Sequence, residues 1–182
     1  MTEPAPPAPA SGLVYADVPN RAIAYIIDAI LVGIITAIVG GILGGLGLRP
    51  VTLNPDLTVS VDYVASLVSA AVGLLISAAY FIYTWTSMCA TVGMKVLGMQ
   101  IGNAGDGATM TTDQGIRRYI ALSAPSILAQ VLFPIPVIGL LVGLAAFGWF
   151  IYLIYTTAKS PTKQRFHDVF ANTQVVKALK AV

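Results

Sequence analysis

Charge is what this sequence has least of. Only 10% of its 182 residues are Asp, Glu, Lys or Arg, where soluble domains average roughly 25%. Hydrophobic residues make up 57%. That balance excludes an ordinary soluble domain and points to a chain embedded in lipid. Cysteine occurs once, at Cys89, so no intramolecular disulfide can form and a small apolar packing role is expected. Histidine also occurs once, at His167. One Cys and one His give no metal-ligand spacing, and no nucleophile motif accompanies them. No cofactor or metal is therefore expected. An enzyme is the weakest reading: His167 and Asp168 are adjacent, but neighbours in sequence need not orient each other. The stretch GNAGDG at 102–107 lacks the Walker lysine and the strand–loop–helix frame of a phosphate loop. Residues 1–20 hold five prolines and no Lys or Arg, unlike the basic start and apolar core of a secretory signal. Residues 1–18 read as a disordered, Pro/Ala-rich tail.

What is present is a set of charge-free runs. A helix needs about 20 apolar residues to cross the hydrocarbon core. Residues 29–48 carry no charge, and extending back to Ala22 admits only Asp28. Residues 63–94 suit one tilted span, and 119–158 is too long for one and suits two. The distribution of Lys and Arg decides how to divide the last run. With a single helix there, the basic residues split four to six between the two sides, which specifies no orientation. If the run folds back at 133–139, where Pro134 and Pro136 favour a turn, every Lys and Arg except Arg49 falls on one side. The expected fold is thus an all-α membrane protein: a four-span helical bundle with its last two spans a tight hairpin. The third span, about 116–133, is short, leaving a tilted crossing or a re-entrant hairpin open. Both termini would be cytoplasmic. The basic residues then serve orientation, and nucleic acid is not an expected partner.

Lipid gives helices no hydrophobic reason to associate, so small residues must let them approach closely. Ala29, Gly33, Ala37, Gly41 and Gly45 recur every four residues in the first span. Compaction within one bundle is the plain reading, and a homodimer face is the sharper one. Trp85, Trp149, Tyr152 and Tyr155 fall near expected span ends, as interfacial aromatic belts do. Between the second and third spans, 96–101 is β-prone, Thr109–Thr111 could return as a strand, and Thr112 resembles a helix cap. Residues 172–176 form another β-prone run, and pairing with 96–101 would make a small cytoplasmic sheet.

Asp28 is the most informative residue. A carboxylate at a span centre costs on the order of 2.5–3.5 kcal/mol, so something must offset it. Arg21 lies seven residues earlier on nearly the same face, about 10–12 Å away along the axis at about 1.5 Å per residue. That distance favours a cation from another element: Lys95, Arg117, Arg118 or His167 share the expected side. Arg21 could pair with Asp168. The expected object is a buried charge cluster drawn from Arg21, Asp28, Lys95, His167 and Asp168.

Three blocks, RAIAYIID (21–28), TVGMKVLGMQI (91–101) and RFHDVFANTQVV (165–176), resemble the signature blocks of the RDD family of small bacterial membrane proteins. The resemblance spans about residues 15–177, and a domain over 19–177 with a C-terminal tail at 178–182 follows. It implies that Arg21, Asp28 and Asp168 are the Arg and two Asp residues that name the family. It adds Gly93, Lys95, Gly98 and Thr173 to the pattern. A role in transport has been proposed for such proteins. Two functions stay open: a cation or cation/proton transporter built on Asp28, and a non-enzymatic scaffold or assembly partner whose Arg/Asp cluster is structural. The lipid bilayer is the expected partner, with a second copy or another membrane protein as the protein partner.

Overall fold

The computed structural model describes residues 13–135 and 137–178. The described chain runs β1 (Leu13–Tyr15), α1 (Val18–Gly45), β2 (Val51–Leu53), β3 (Val59–Val61), α2 (Tyr63–Met88) and α3 (Val92–Val96). It continues through β4 (Met99–Asn103), α4 (Thr112–Leu132), α5 (Ile138–Lys159), α6 (Phe166–Phe170) and β5 (Thr173–Ala178). The molecule is mostly helical with a small sheet.

Three of the long helices, α1, α2 and α4, start where an acidic or hydroxyl side chain satisfies a free backbone N–H, whereas α5 starts at Val137 with no side-chain cap. Asp17 accepts from Asn20 N (3.2 Å) at the head of α1, and Asp62 from Ala65 N (2.9 Å) at the head of α2. Thr111 and Gln114 form a reciprocal capping box at α4, so the cap sits one residue before the expected Thr112. At about 1.5 Å per residue, the 28 residues of α1 reach about 42 Å, beyond the ~30 Å hydrocarbon core. Ile30, Ile34, Ile38 and Ile42 are all exposed along one face of it. Such a stripe is unfavourable in water and natural against lipid.

Three helices, α1, α2 and α5, are long and apolar enough to cross a membrane. α4 differs, since Asp113, Arg117 and Arg118 occupy its first two turns and Pro125 lies inside it. α4 and α5 pack against each other, joined through residues 133–137. Gly139 makes that approach possible: a Cβ there would lie 2.6 Å from the Phe133 carbonyl oxygen.

The three-stranded sheet has the order β1-β5-β4, antiparallel throughout, with Ile101 opposite Val175. β2 and β3 form a separate hairpin at the other end of α1 and α2. The expected pairing of the 96–101 and 172–176 runs is present, with shifted bounds. Thr91 caps a short helix that takes up Val96, and Gly98 turns the chain with φ +67° before the strand begins at Met99. Thr109–Thr111 is not a strand; β1 supplies the third instead. The expected tail over 1–18 lies largely outside the described residues, but its end holds β1, the cap Asp17 and the first residue of α1.

The core lies at the sheet end. Phe81, Trp85, Tyr119, Met99, Ile101 and Val175 pack there with Ala16 and Ala24. Trp85 is buried in this core rather than placed in an aromatic belt. The glycine ridge of α1 also departs from compaction. A Cβ at Gly33, Gly41 or Gly45 would meet nothing within 4 Å, so those positions have no close neighbour among the described residues.

Candidate functional site

α1 carries two of the charged residues into the core, Arg21 and Asp28, both buried. They belong to two separate networks.

Asp28 is held by neutral donors. Its Oδ1 accepts from Tyr80 Oη (2.6 Å) and Gly93 N (2.8 Å), and its Oδ2 from Thr91 Oγ1 (2.5 Å). Local chemistry places each donor. Thr91 caps α3, so its hydroxyl accepts from Met94 N (3.1 Å) and still donates to Asp28. Gly93 brings its N–H to the carboxylate because α3 lies directly on α1. A Cβ there would sit 2.2 Å from the Ala24 carbonyl oxygen. Tyr80 Oη in turn accepts from Val92 N (3.2 Å). The expected cationic partner is therefore absent: Asp28 makes no ion pair among the described residues. These three donors satisfy the buried carboxylate's oxygens without a cation.

Asp168 is the ionic centre. Arg21 Nη1 donates to its Oδ2 (2.7 Å), Arg165 N donates to the same oxygen (2.7 Å), and Arg118 Nη1 pairs with Oδ1. Arg21 extends the tie: Nε donates to Ala16 O (3.1 Å) and Nη2 to Val175 O (3.2 Å). Arg118 Nη1 also reaches Thr173 Oγ1 (2.6 Å), and the guanidinium carbon of Arg118 lies over the Trp85 ring, 5.0 Å from its centroid. One carboxylate thus joins α1, α4, α6 and the start of β5. Burial by itself would raise the Asp168 carboxyl, but Arg118 and Arg21 hold it well below the usual carboxylate range. His167 Nε2 is 3.8 Å from Asp168 Oδ1, too far for a hydrogen bond. Burial pushes the His167 imidazole well below its ordinary value, so it is neutral at pH 7.

Of the five residues expected in the cluster, Arg21, His167 and Asp168 come together, and Asp28 lies beside them in its own network. Lys95 does not join: it is exposed in the last turn of α3. Arg117 is also outside, pairing with Asp113 on the surface (2.9 Å). Arg165 and Thr91 were not anticipated. Arg165 stands three residues before Asp168 in the RFHD stretch, and that spacing was its only signal. Tyr80 had a fainter one, as a polar group within a charge-free run.

The two networks share a cavity of about 40 Å³, lined by Arg21, Asp28, Trp85, Thr91, Arg118, Arg165 and His167 among others. A groove of about 520 Å³ adjoins it at Tyr25 and Phe81 and runs between α1, α2 and α4. Ser77, Tyr119, Ser123, Ser126 and Gln130 give that groove polar walls. Ser77 and Tyr119 hydroxyls bond each other at 2.5 Å. A third space, about 280 Å³, adjoins the groove at Thr36 and Gln130 and reaches the β2–β3 hairpin. Among the described residues, no group of three His, Cys, Asp or Glu side chains could hold a metal ion.

The RDD family model matches residues 15–172, and the chain belongs to that family. No match was found among curated proteins or among solved structures.

Proposed function

We propose that this RDD-family membrane protein moves a small ion across the bilayer, in the form of cation or cation/proton transport with Asp28 as the proton-carrying carboxylate. The observation that carries the reading is the run of three adjoining, partly polar spaces from the β2–β3 hairpin to Asp28. An ionisable side chain inside a membrane bundle, next to a polar cavity, is a default ion or proton site. On this reading α4 is the fourth crossing helix. Its 21 residues reach about 32 Å at about 1.5 Å per residue, close to the ~30 Å core, and a proline is tolerated within such a helix. Both termini then lie on the cytoplasmic side of an inner membrane, with nine of the ten Lys and Arg residues. The protein is not an enzyme on this reading, its first partner is the bilayer, and a second copy covers the exposed glycines of α1.

A second reading rests on Asp168. Its ties to Arg21, Arg118 and the Arg165 backbone fit a lock that fixes the C-terminal segment against α1 and α4. A scaffold needs only that. The two readings separate at Asp28. Purified protein in liposomes is assayed for proton movement driven by sodium, potassium or lithium gradients, alongside Asp28→Asn. Transport predicts wild-type flux that vanishes in a folded Asp28→Asn protein. A folded wild type with no flux for any of the three cations refutes cation/proton exchange and leaves the scaffold.

A further inference from the structure

We propose that the cavity at the sheet end is a binding site for one small monovalent anion, of chloride or nitrate size, held by the free N–H groups of Arg165, Arg118 and Trp85. Five polar atoms on residues lining this cavity are buried without a hydrogen-bond partner among the described residues: Arg165 Nε and Nη2, Arg118 Nε, Trp85 Nε1 and His167 Nδ1. Unpartnered buried polar atoms are rare and call for an occupant. The first four are donors on side chains with no acceptor at all. Whatever satisfies them must accept hydrogen bonds, and a metal cation cannot.

The charge points the same way. Among the described residues, three buried guanidiniums, Arg21, Arg118 and Arg165, accompany two buried carboxylates, Asp168 and Asp28. One positive charge is left over, since His167 is neutral. Arg165 is the natural holder of that excess, because its side chain makes no ion pair among the described residues while Arg21 and Arg118 both pair with Asp168. Burial, with Arg21 next in effect, pulls the Arg165 guanidinium down to about 10, and the attraction of Asp168 offsets only part of that. Asp28 does not fill that role, since it makes no ion pair among the described residues and its hydrogen bonds come from Tyr80, Thr91 and Gly93. The space, about 40 Å³, exceeds the ~10–15 Å³ that one water requires, and is too small for a bulky organic anion. Water is the competing occupant. It would satisfy the donors and leave the excess charge in place.

This inference does not depend on the transport reading, because binding is measured without flux. The full chain is purified in detergent with Trp149→Phe, which leaves Trp85 as its one indole. Chloride or nitrate replaces gluconate at constant ionic strength while the thermal midpoint and Trp85 emission are followed. The expected result is a saturable rise in midpoint and a saturable emission change with the same apparent Kd. Arg165→Gln should weaken that affinity at least ten-fold. If Arg165→Gln does not fold, Arg165→Lys takes its place, because it keeps the charge and loses Nε and Nη2; a several-fold loss is expected. A wild type with no saturable response means a water-filled cavity and overturns the proposal. So does a response of equal affinity in the Arg165 variant, which would be general salt screening.

Discussion

Replacing Asp168 with Asn removes the charge that holds two guanidiniums while keeping the size of the side chain. Arg21 and Arg118 are 5% and 2% exposed and Asp168 is fully buried, so bulk solvent cannot take over the lost charge. Breaking a buried ion pair by deleting one partner costs about 3–5 kcal/mol, because the other charge stays buried and uncompensated. Here two are left, which places the expected loss at the upper end, moderated by the bonds Arg21 keeps to Ala16 O and Val175 O. For a chain of this size about 1 kcal/mol moves the thermal midpoint by about 2–4 °C, so a fall of at least about 8 °C is expected. The assay is the loss of monodisperse protein in size-exclusion chromatography after heating in detergent. The matched control is Asp113→Asn, which breaks only the exposed pair with Arg117 and should cost under about 0.5 kcal/mol. A midpoint for Asp168→Asn within about 2 °C of that control would refute the lock, because the ties among α1, α4 and α6 would then contribute nothing.

Gly93→Ala should destabilise by about 2–4 kcal/mol, since the new methyl group meets the Ala24 carbonyl at 2.2 Å and pulls Gly93 N from Asp28. Gly33→Ala, with nothing within 4 Å, should change the midpoint by little, and equal effects at the two positions would contradict the close packing of α3 on α1. Stability should also fall as the solution is acidified, in two stages. The His167 imidazole is held neutral in the fold but takes up a proton in the unfolded chain below about pH 6.5, so the unfolded state binds more protons there and gains. The Asp168 carboxylate, held low, contributes fully above about pH 4, and that contribution is lost as pH falls further. In thermal melts across pH, His167→Gln should flatten the first stage and leave the second; a first stage unchanged in that variant counts against the assignment. For topology, Ile135→Cys in a Cys89→Ser background should react with an impermeant maleimide added outside whole cells. Labelling only after the cytoplasmic face is opened would exclude four crossings.

The long apolar helices were legible because lipid demands one simple thing of a sequence, a run without charge, and α1, α2 and α5 supply it. α4 was less legible because its first turns carry Asp113, Arg117 and Arg118. The Arg21–Asp168 tie was readable because unlike charges in an apolar chain have few other partners. Asp28 was misjudged for the converse reason. A buried carboxylate needs donors, and donors need not be cations. Tyr80, Thr91 and the backbone of Gly93 fill that need, and a hydroxyl or a peptide N–H leaves no mark in a count of charges. The consequence reaches past Asp28 itself. Since neutral groups hold this carboxylate, no guanidinium is tied to it, and Arg165 lines the same cavity with neither carboxylate as its ion-pair partner. Two opposite charges kept apart in one small buried space can both remain there only if each has hydrogen bonds of its own. Asp28 has three, and for Arg165 they must come from whatever occupies the cavity.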